Sequence, residues 1–448
     1  MAVADELLDL CLSAVEGAEG GEAVEAYAEE SRRMQVRARA GQVESMSSAE
    51  TRGVGIRVIV EGRLGYAYAS DPSRKEVGRA VAKARANAEL ATEDQANALP
   101  PPRAAPELPR IFRQGQLSVP TERKVTLALE LERATVRSHA RVGKVEQAAY
   151  GDSVSRVAIA STTGRADGYV RTDCWCASSA LAEDGNETQT GFGFRLGREV
   201  DELDWMACAQ EAALRAARLL GARKPRTARV PVVFDPGAAV SFLGVLSAAL
   251  SAESVQKGRS LFADLLGEEV GSEPVDLVDD GRFLDGPGAA PFDDEGVPTE
   301  RTPLIERGRL AAFLHNTYTA RRGNAVSTGN AGRGSYRTAP GVSPSNLYLA
   351  PGSVSPEALL RRADGGVFVQ EVSGVHSGAN PISGEFSVGA TGLRISGAAL
   401  GEPLREMTIA STIPDMLRAV VAVGSDLRFF GAVGSPTVLL GDMTVAGE

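Results

Sequence analysis

Histidine and cysteine are both scarce in this chain, and their scarcity restricts the metal sites it could build. The 448 residues include only three histidines, His139, His315 and His376. No two of them have the spacing of zinc ligands on one helix. There are four cysteines, Cys11, Cys174, Cys176 and Cys208. So few cysteines in so long a chain indicate reduced thiols in a cytoplasm rather than a disulfide framework.

One metal site built from these residues remains an alternative. Cys174 and Cys176 lie two apart on a predicted strand, so both thiols face the same side. Together with Cys208 and His139 they would make a Cys₃His zinc site. Two ligands separated by a single residue on a strand are unusual for structural zinc, so ordinary buried cysteines are the favoured interpretation. A cysteine nucleophile with His139 as its base is the less favoured alternative.

Long apolar runs are also missing. No segment reaches the ~18 apolar residues that span a bilayer, and the acidic, amphipathic N-terminus does not resemble a signal peptide. We therefore predict a cytoplasmic protein with no membrane partner. The net charge of −10 repels a phosphate backbone, so no nucleic-acid partner is predicted either.

Common catalytic and nucleotide-binding motifs are absent. No Gly-x-Ser-x-Gly occurs, and residues 385–389 (Glu-Phe-Ser-Val-Gly) have the wrong first residue. The single Gly-Lys pair, Gly143-Lys144, precedes valine rather than the serine or threonine of a phosphate-binding loop. Residues 191–197 imitate a dinucleotide-binding loop, but the third glycine comes one residue late, so we interpret them as a strand.

The length and composition are typical of an ordered protein with two or three domains. The pattern predicts an α+β fold: a small α/β N-terminal domain at 1–97, a proline-rich linker at 98–120, an α/β middle domain at 121–224, and a large, mostly antiparallel β-rich C-terminal domain at 229–448.

Several individual elements can be predicted within this frame. Residues 53–60 and 65–69 flank Glu61-Gly62 and predict a β-hairpin. Ser73 and Glu76 form the signature of a capping box at the start of the next helix. Further helices are predicted near 5–17, 121–138, 202–221 and 238–250, and a strand at 230–234.

An ordered set of phrases runs through the C-terminal half. It comprises residues 294–301 (Asp-Glu-Gly-Val-Pro-Thr-Glu-Arg), 308–310, 316–322, 327–332, 380–390, 407–410 and 423–426. In this order and spacing, and together with the hairpin at 53–70, they resemble the TldD/PmbA family over nearly the whole chain. The resemblance implies an α/β N-terminal part and a large β-rich C-terminal domain.

The resemblance also implies a chemistry. The TldD branch is a zinc metallopeptidase of small or unfolded peptides, whose active helix carries His-Glu-x-x-x-His and whose late cysteine completes the site. In this chain the motif positions fall on Gly244, Val245 and Ala249, and no cysteine follows Cys208. Without these ligands and the glutamate base, the resemblance places the chain in the metal-free PmbA branch, also called TldE.

The favoured hypothesis is a non-catalytic subunit, with no cofactor of its own, that pairs with a zinc-bearing TldD-like partner in a peptidase assembly. Candidate residues of the peptide cleft are Arg321, His376 and Glu385, and strand edges near 368–372 and 385–388 are candidate peptide-binding edges. One alternative is a homodimer that binds peptides or proteins without cleaving them. Another is a hydrolase with an unfamiliar site built on His376 and Glu385. The family has also been called a modulator of DNA gyrase, a link that would run through protein partners.

Overall fold

A computed structural model describes residues 2–448 of the chain, with side chains from residue 6 onward. The N-terminal part contains two helices and three strands: α1 (Ala2–Glu16), β1 (Ala23–Arg39), β2 (Gln42–Val60), β3 (Arg63–Ala69) and α2 (Arg74–Glu89). The predicted hairpin is confirmed as β2 and β3. Glu61 and Gly62 at its turn have φ of 48° and 75°, the left-handed pair that a two-residue type I′ turn requires. The Ser73 side chain caps α2 by accepting a hydrogen bond from the Glu76 N–H.

The middle part follows with three strands and three helices: α3 (Gln114–Leu117), α4 (Thr121–Arg137), β4 (Val142–Ser161), β5 (Ala166–Asp184), β6 (Glu187–Gly197) and α5 (Trp205–Ala217). Residues 191–197 lie in β6, which confirms their interpretation as a strand. The helix predicted at 202–221 is shorter than expected. It begins at Trp205 because the Asp204 side chain accepts a hydrogen bond from the Ala207 N–H and caps it there.

The N-terminal and middle parts share one six-stranded antiparallel sheet, in the order β3-β2-β1-β4-β5-β6. β1 pairs with β2 along one edge and with β4 along the other, from Glu25 to Ala38. The two segments predicted as separate units therefore meet through a continuous ladder of backbone hydrogen bonds.

Residue alternation divides the two faces of this sheet. Val24, Ala26 and Ala28 point to the face covered by α1 and α2, and Val36 and Ala38 continue that face beneath α4. The residues between them, such as Tyr27, point to the opposite face. Where the C-terminal domain contacts that face, buried side chains of both parts form a small shared core, comprising Tyr27, Val157, Ile159, Phe292 and Tyr336.

The proline-rich segment 98–120 is docked on the sheet rather than held away from it. It contains a 3₁₀ turn at Pro109–Ile111 and the short helix α3. Ile111 is buried, and the buried Gln116 amide donates to the Tyr150 hydroxyl and the Asp152 carboxylate at 3.0 and 2.9 Å.

The C-terminal part consists mainly of short strands. Its elements are β7 (Ala228–Phe234), α6 (Pro236–Ala249), α7 (Ala252–Gln256), β8 (Leu277–Asp280), β9 (Arg301–Glu306), β10 (Arg309–Leu310), α8 (Thr317–Arg322), β11 (Ala331–Gly332), β12 (Gly341–Val342), β13 (Leu347–Leu349), α9 (Pro356–Arg362), β14 (Val367–Ser373), α10 (Val375–Gly378), β15 (Glu385–Ser396), β16 (Ala399–Thr412), α11 (Ile413–Ala419), β17 (Val420–Val423), β18 (Arg428–Phe430), β19 (Val433–Ser435) and β20 (Val438–Ala446).

Two six-stranded sheets organise these elements, in the orders β16-β15-β14-β7-β20-β17 and β10-β9-β8-β13-β19-β18. A further pairing of β16 with β20 closes the first of them into a barrel. Most pairings are antiparallel, and helix α6 packs against β14 of one sheet and β19 of the other. The predicted α+β class with a β-rich C-terminal domain is confirmed. No helix between residues 2 and 448 is long and apolar enough to cross a membrane.

Candidate functional site

Helix α6 carries the positions at which the sequence resemblance places a zinc motif, and local chemistry fixes where it begins. The Asp235 carboxylate accepts a hydrogen bond from the Gly237 N–H at 3.0 Å, and Pro236 occupies the first helical position. Arg215 of α5 donates to both Asp235 oxygens, at 3.1 and 3.0 Å. The middle part of the chain is therefore tied to the start of this helix.

The three motif positions lie on α6 in unlike surroundings. A Cβ built on Gly244 would meet no atom within 4 Å. Val245 is partly buried against the C-terminal core, and Ala249 lies fully inside that core. None of the three offers an imidazole, thiolate or carboxylate, so these residues do not fit a zinc ion. Among the side chains of residues 6–448, no group of three or more His, Cys, Asp or Glu is placed to hold a metal.

The cysteines of the alternative zinc site lie in the core of the middle part. Cys174, Cys176 and Cys208 are buried between the sheet and its helices, and the Cys208 thiol points to the Cys176 carbonyl oxygen at 3.7 Å. A hydrogen bond to Cys176, together with burial, raises the pKa of the Cys208 thiol. His139 lies in the turn after α4, where its Nδ1 accepts a hydrogen bond from the Arg141 N–H. The structure does not bring the four residues together as ligands.

Glu385 borders a cleft, and His376 is the neighbour in sequence of Ser377, which also lines it. His376 is exposed on α10, and Glu385 is exposed at the start of β15. The cleft between these elements has a volume of about 620 Å³, and its lining includes the hydroxyls of Ser377, Ser387 and Ser411. Within the described part of the chain, no hydrogen bond or ion pair joins His376 to Glu385. The cleft is polar and large enough for several peptide residues.

The predicted strand edges beside this cleft are largely paired. Phe368 and Val369 of β14 pair with β7 on one side and β15 on the other. The start of β15 pairs with β16, and its opposite edge is bridged by Ala379, next to an Asn380 N–H that donates to the Glu385 carbonyl. A peptide adding to this edge would first have to displace the chain's own loop.

Arg321 belongs to a different surface. It lies in the last turn of α8, and its guanidinium donates to the Gln95 carbonyl of the N-terminal part at 3.0 Å. In the same helix, the Tyr318 hydroxyl donates to Asp94 at 2.9 Å. The family phrase at 316–322 thus holds the N-terminal part to the C-terminal domain.

A buried charge network that sequence reasoning missed lies at this same junction. Arg57 of β2 donates to Glu25 at 2.5 and 3.1 Å and to Glu295 at 2.6 Å, and Arg333 donates to Glu25 at 2.6 Å. These side chains are between 1% and 4% exposed. The only available signal was an arginine and a glutamate within otherwise apolar strands, together with the acidic phrase at 294–301.

Asp293, just before that phrase, and Glu295 within it have pKa values shifted in opposite directions. Burial raises the pKa of Asp293 well above its ordinary value, and the nearby Glu295 charge adds to this. Burial alone would also raise the pKa of Glu295, but Arg57 and the Thr317 N–H donor reverse the effect and lower it. Glu295 therefore carries the charge that pairs with Arg57.

Comparison with known families accounts for most of the chain. Models of the PmbA/TldA metallopeptidase family match it as domain 1 over residues 24–88, the central domain over 115–220 and the C-terminal domain over 227–447. The chain belongs to the PmbA/TldD family. The resemblance inferred from the ordered phrases is thereby confirmed.

Relatives and solved structures of the PmbA/TldD family span the same length. The metalloprotease PmbA of Escherichia coli O157:H7 is 28% identical over 92% of this chain and 90% of its own. A Thermotoga maritima structure, described as a candidate modulator of a DNA gyrase, superposes with a TM-score of 0.91 at 28% identity, over 99% of this chain and 100% of its own. TldE from Thermococcus kodakarensis shares the fold, with a TM-score of 0.88 at 22% identity over 99% of this chain and 100% of its own.

Proposed function

We propose that this chain is a non-catalytic, metal-free subunit of a peptidase assembly, in which a TldD-like partner carries the zinc. The observation that carries this proposal is the content of α6, where Gly244, Val245 and Ala249 stand at the motif positions. Zinc needs nitrogen, sulphur or oxygen ligands, and hydrolysis needs a base beside the bound water. Neither is available on this helix.

The role that remains is to shape the peptide cavity and to position an extended substrate. The buried network of Glu25, Arg57, Glu295 and Arg333 supports such a role, because it fixes the first sheet on the C-terminal domain. The polar cleft beside His376 and Glu385 supplies one candidate substrate surface. A cytoplasmic location stays a prediction that rests on the scarcity of cysteines, and the absence of a nucleic-acid partner stays one that rests on the acidic charge.

The test is a peptidase assay on unstructured peptides with three samples: the chain alone, the chain copurified with its TldD-like partner, and that complex with the partner's motif glutamate changed to glutamine. We expect cleavage by the second sample only. Cleavage by the chain alone would overturn the proposal and redirect attention to His376 and Glu385. Peptide binding without cleavage in all three samples would favour the homodimeric binding module instead.

A further inference from the structure

One face of the first sheet is left open over its distal half. Helices α4 and α5 cover the opposite face there. The C-terminal domain covers this face near Tyr27 and Ile159, and its Phe430 lies against Phe194 at the rim. Alternation along the strands brings residues of β1, β5 and β6 to the open surface. We call this surface the aromatic–arginine face, defined by Arg33, Arg37, Trp175, Phe192, Phe194 and Leu196.

The aromatic side of this face is a row of stacked rings. Phe194 lies 6.2 Å from Phe192, 6.4 Å from Trp175 and 5.9 Å from Phe430, between ring centroids. Phe192 is 43% exposed, although aromatic residues make up only 5% of the chain. A Cβ on Gly151 would lie 2.5 Å from the indole of Trp175, so glycine there lets the ring lie flat across β4. The rings thus form a ready platform for apolar side chains.

The other side of the face carries two arginines without partners. Arg33 and Arg37 are exposed on β1, and neither forms an ion pair or a side-chain hydrogen bond with the part of the chain whose side chains are described, residues 6–448. The register places Arg37, Ala149, Ala177 and Phe194 in one row across the sheet. Three strand spacings separate its ends, or about 14 Å, which is the reach of roughly four extended residues. Two cations that have no ion pair among the described side chains therefore lie within reach of the ring platform.

The face leads into a cavity at the junction with the C-terminal domain. The cavity has a volume of about 360 Å³, and its lining includes Trp175, Phe194, Arg110, Arg113 and Leu284. Its acidic residues already have partners. Asp173 binds Arg171 and Arg198, Glu202 binds Arg113, and Asp285 lies 3.7 Å from Arg110. Among the described charged residues of this cavity and of the aromatic–arginine face, Arg33 and Arg37 are therefore the ones without an ion pair, and a ligand could pair with them.

We infer that the aromatic–arginine face binds an extended peptide segment that carries carboxylates beside aromatic or aliphatic side chains. The inference rests on the proposed function, whose substrate class it specifies. Carboxylates would pair with Arg33 and Arg37 while apolar side chains lie on the rings. A single-stranded nucleic acid also offers rings and negative charge, but the net charge of −10 favours the peptide.

The test measures peptide binding by the chain without a partner. Trp205→Phe leaves Trp175 as the only indole, so its fluorescence reports on the face directly. The ligands are a fluorescently labelled, unstructured peptide rich in glutamate and phenylalanine, and a peptide of equal length with lysine in place of glutamate. We expect saturable binding of the acidic peptide, a change in Trp175 fluorescence, and weaker binding at higher salt.

The double variant R33E/R37E should weaken acidic-peptide binding by at least about tenfold, because both cations become anions. The matched control is R32E on the same strand. Arg32 is also exposed but points to the opposite face, so R32E should change affinity by less than about twofold. Equal losses in both variants, equal binding of the lysine peptide, or tighter binding of an oligothymidylate would overturn the inference. Since no step needs zinc, these results are independent of whether the partner complex cleaves peptides.

Discussion

Gly244 and Ala249 show at the scale of single residues how α6 differs from a zinc-binding helix. Gly244 borders open space, whereas Ala249 is enclosed by the C-terminal core. A side chain long enough to bind a metal could therefore be added at the first position but not at the second without repacking.

Gly244→His should leave stability unchanged or raise it by up to about 0.5 kcal/mol, because histidine has a better helix propensity than glycine. Ala249→His should lower the free energy of unfolding by about 1–3 kcal/mol or more through overpacking. Urea unfolding followed by circular dichroism measures both. A larger loss for Gly244→His than for Ala249→His would contradict the packing described for α6.

Asp279 gives a pH-dependent prediction at the same scale. It is 1% exposed on β8, where Asn330 and the Ser345 N–H donate to its carboxylate at 2.6 and 2.8 Å. Burial nevertheless raises the pKa of Asp279 from 3.8 to about 6. The folded state therefore binds more protons than the unfolded state between these values, and stability from this group is lost as the pH rises through them.

From pH 4 to pH 6, the unfolding free energy of the wild type should accordingly fall by up to about 3 kcal/mol relative to that of Asp279→Asn. Urea midpoints at successive pH values measure it. Asp285→Asn, at a carboxylate whose side chain is 78% exposed, is the control and should show no such trend. An increasing difference over this range would contradict the raised pKa.

At the scale of elements, the pairing of β2 with the loop at 293–295 holds two parts of the molecule together. Arg57 lies between Glu25 and Glu295, and all three side chains are buried. Removing the guanidinium would leave the buried Glu295 carboxylate without a cation, whereas Glu25 would keep its ion pair with Arg333.

Arg57→Met should destabilise the protein by about 3–5 kcal/mol, because breaking a buried ion pair leaves an uncompensated charge. Arg52→Met on the same strand is the control. Arg52 pairs with Glu6 at 2.7 Å, but both side chains are at least 36% exposed, so we expect a loss below about 1 kcal/mol. Thermal unfolding of both variants measures these losses of stability. Similar losses in the two variants would contradict a stabilising role for the buried network.

Elements that local chemistry determines could be predicted from the sequence. The turn at Glu61-Gly62 and the Ser73 cap depend on neighbouring residues alone, and the strand at 191–197 pairs with the adjacent strand in the chain, β5. The predicted start of α5 near residue 202 was too early, because residues 200–202 form a 3₁₀ turn and Asp204 caps the helix at Trp205.

At the scale of the whole molecule, pairing between distant segments is what the sequence could not show. β1 before the proline-rich segment 98–120 and β4 after it are neighbours in one sheet, a pairing between segments that are far apart in the chain. The same distinction, between what the sequence indicates and what long-range contacts determine, applies to the candidate site. The resemblance to the TldD/PmbA family implies the motif positions on α6. The junction of Arg57 with Glu295 and the separation of Arg321 from the cleft depend instead on contacts over more than 200 residues.

Residues 1–97 alone should fail to fold cooperatively, because β1 would expose its edge from Glu25 to Ala38 and lose the cover of α4. Residues 1–225 should unfold in one cooperative transition, since they contain the complete sheet. Circular dichroism melts and size-exclusion chromatography of the two fragments distinguish these cases. A monomeric 1–97 fragment with a cooperative melt would show that the shared sheet is not needed.

The central claim, that this chain contributes no zinc site to a peptidase assembly, is tested most directly by native mass spectrometry. The samples are the chain alone and its complex with the TldD-like partner, each with and without added zinc. We predict no zinc on the chain alone and, in the complex, only the zinc that the partner binds by itself. Stoichiometric zinc on this chain in either sample would contradict the account.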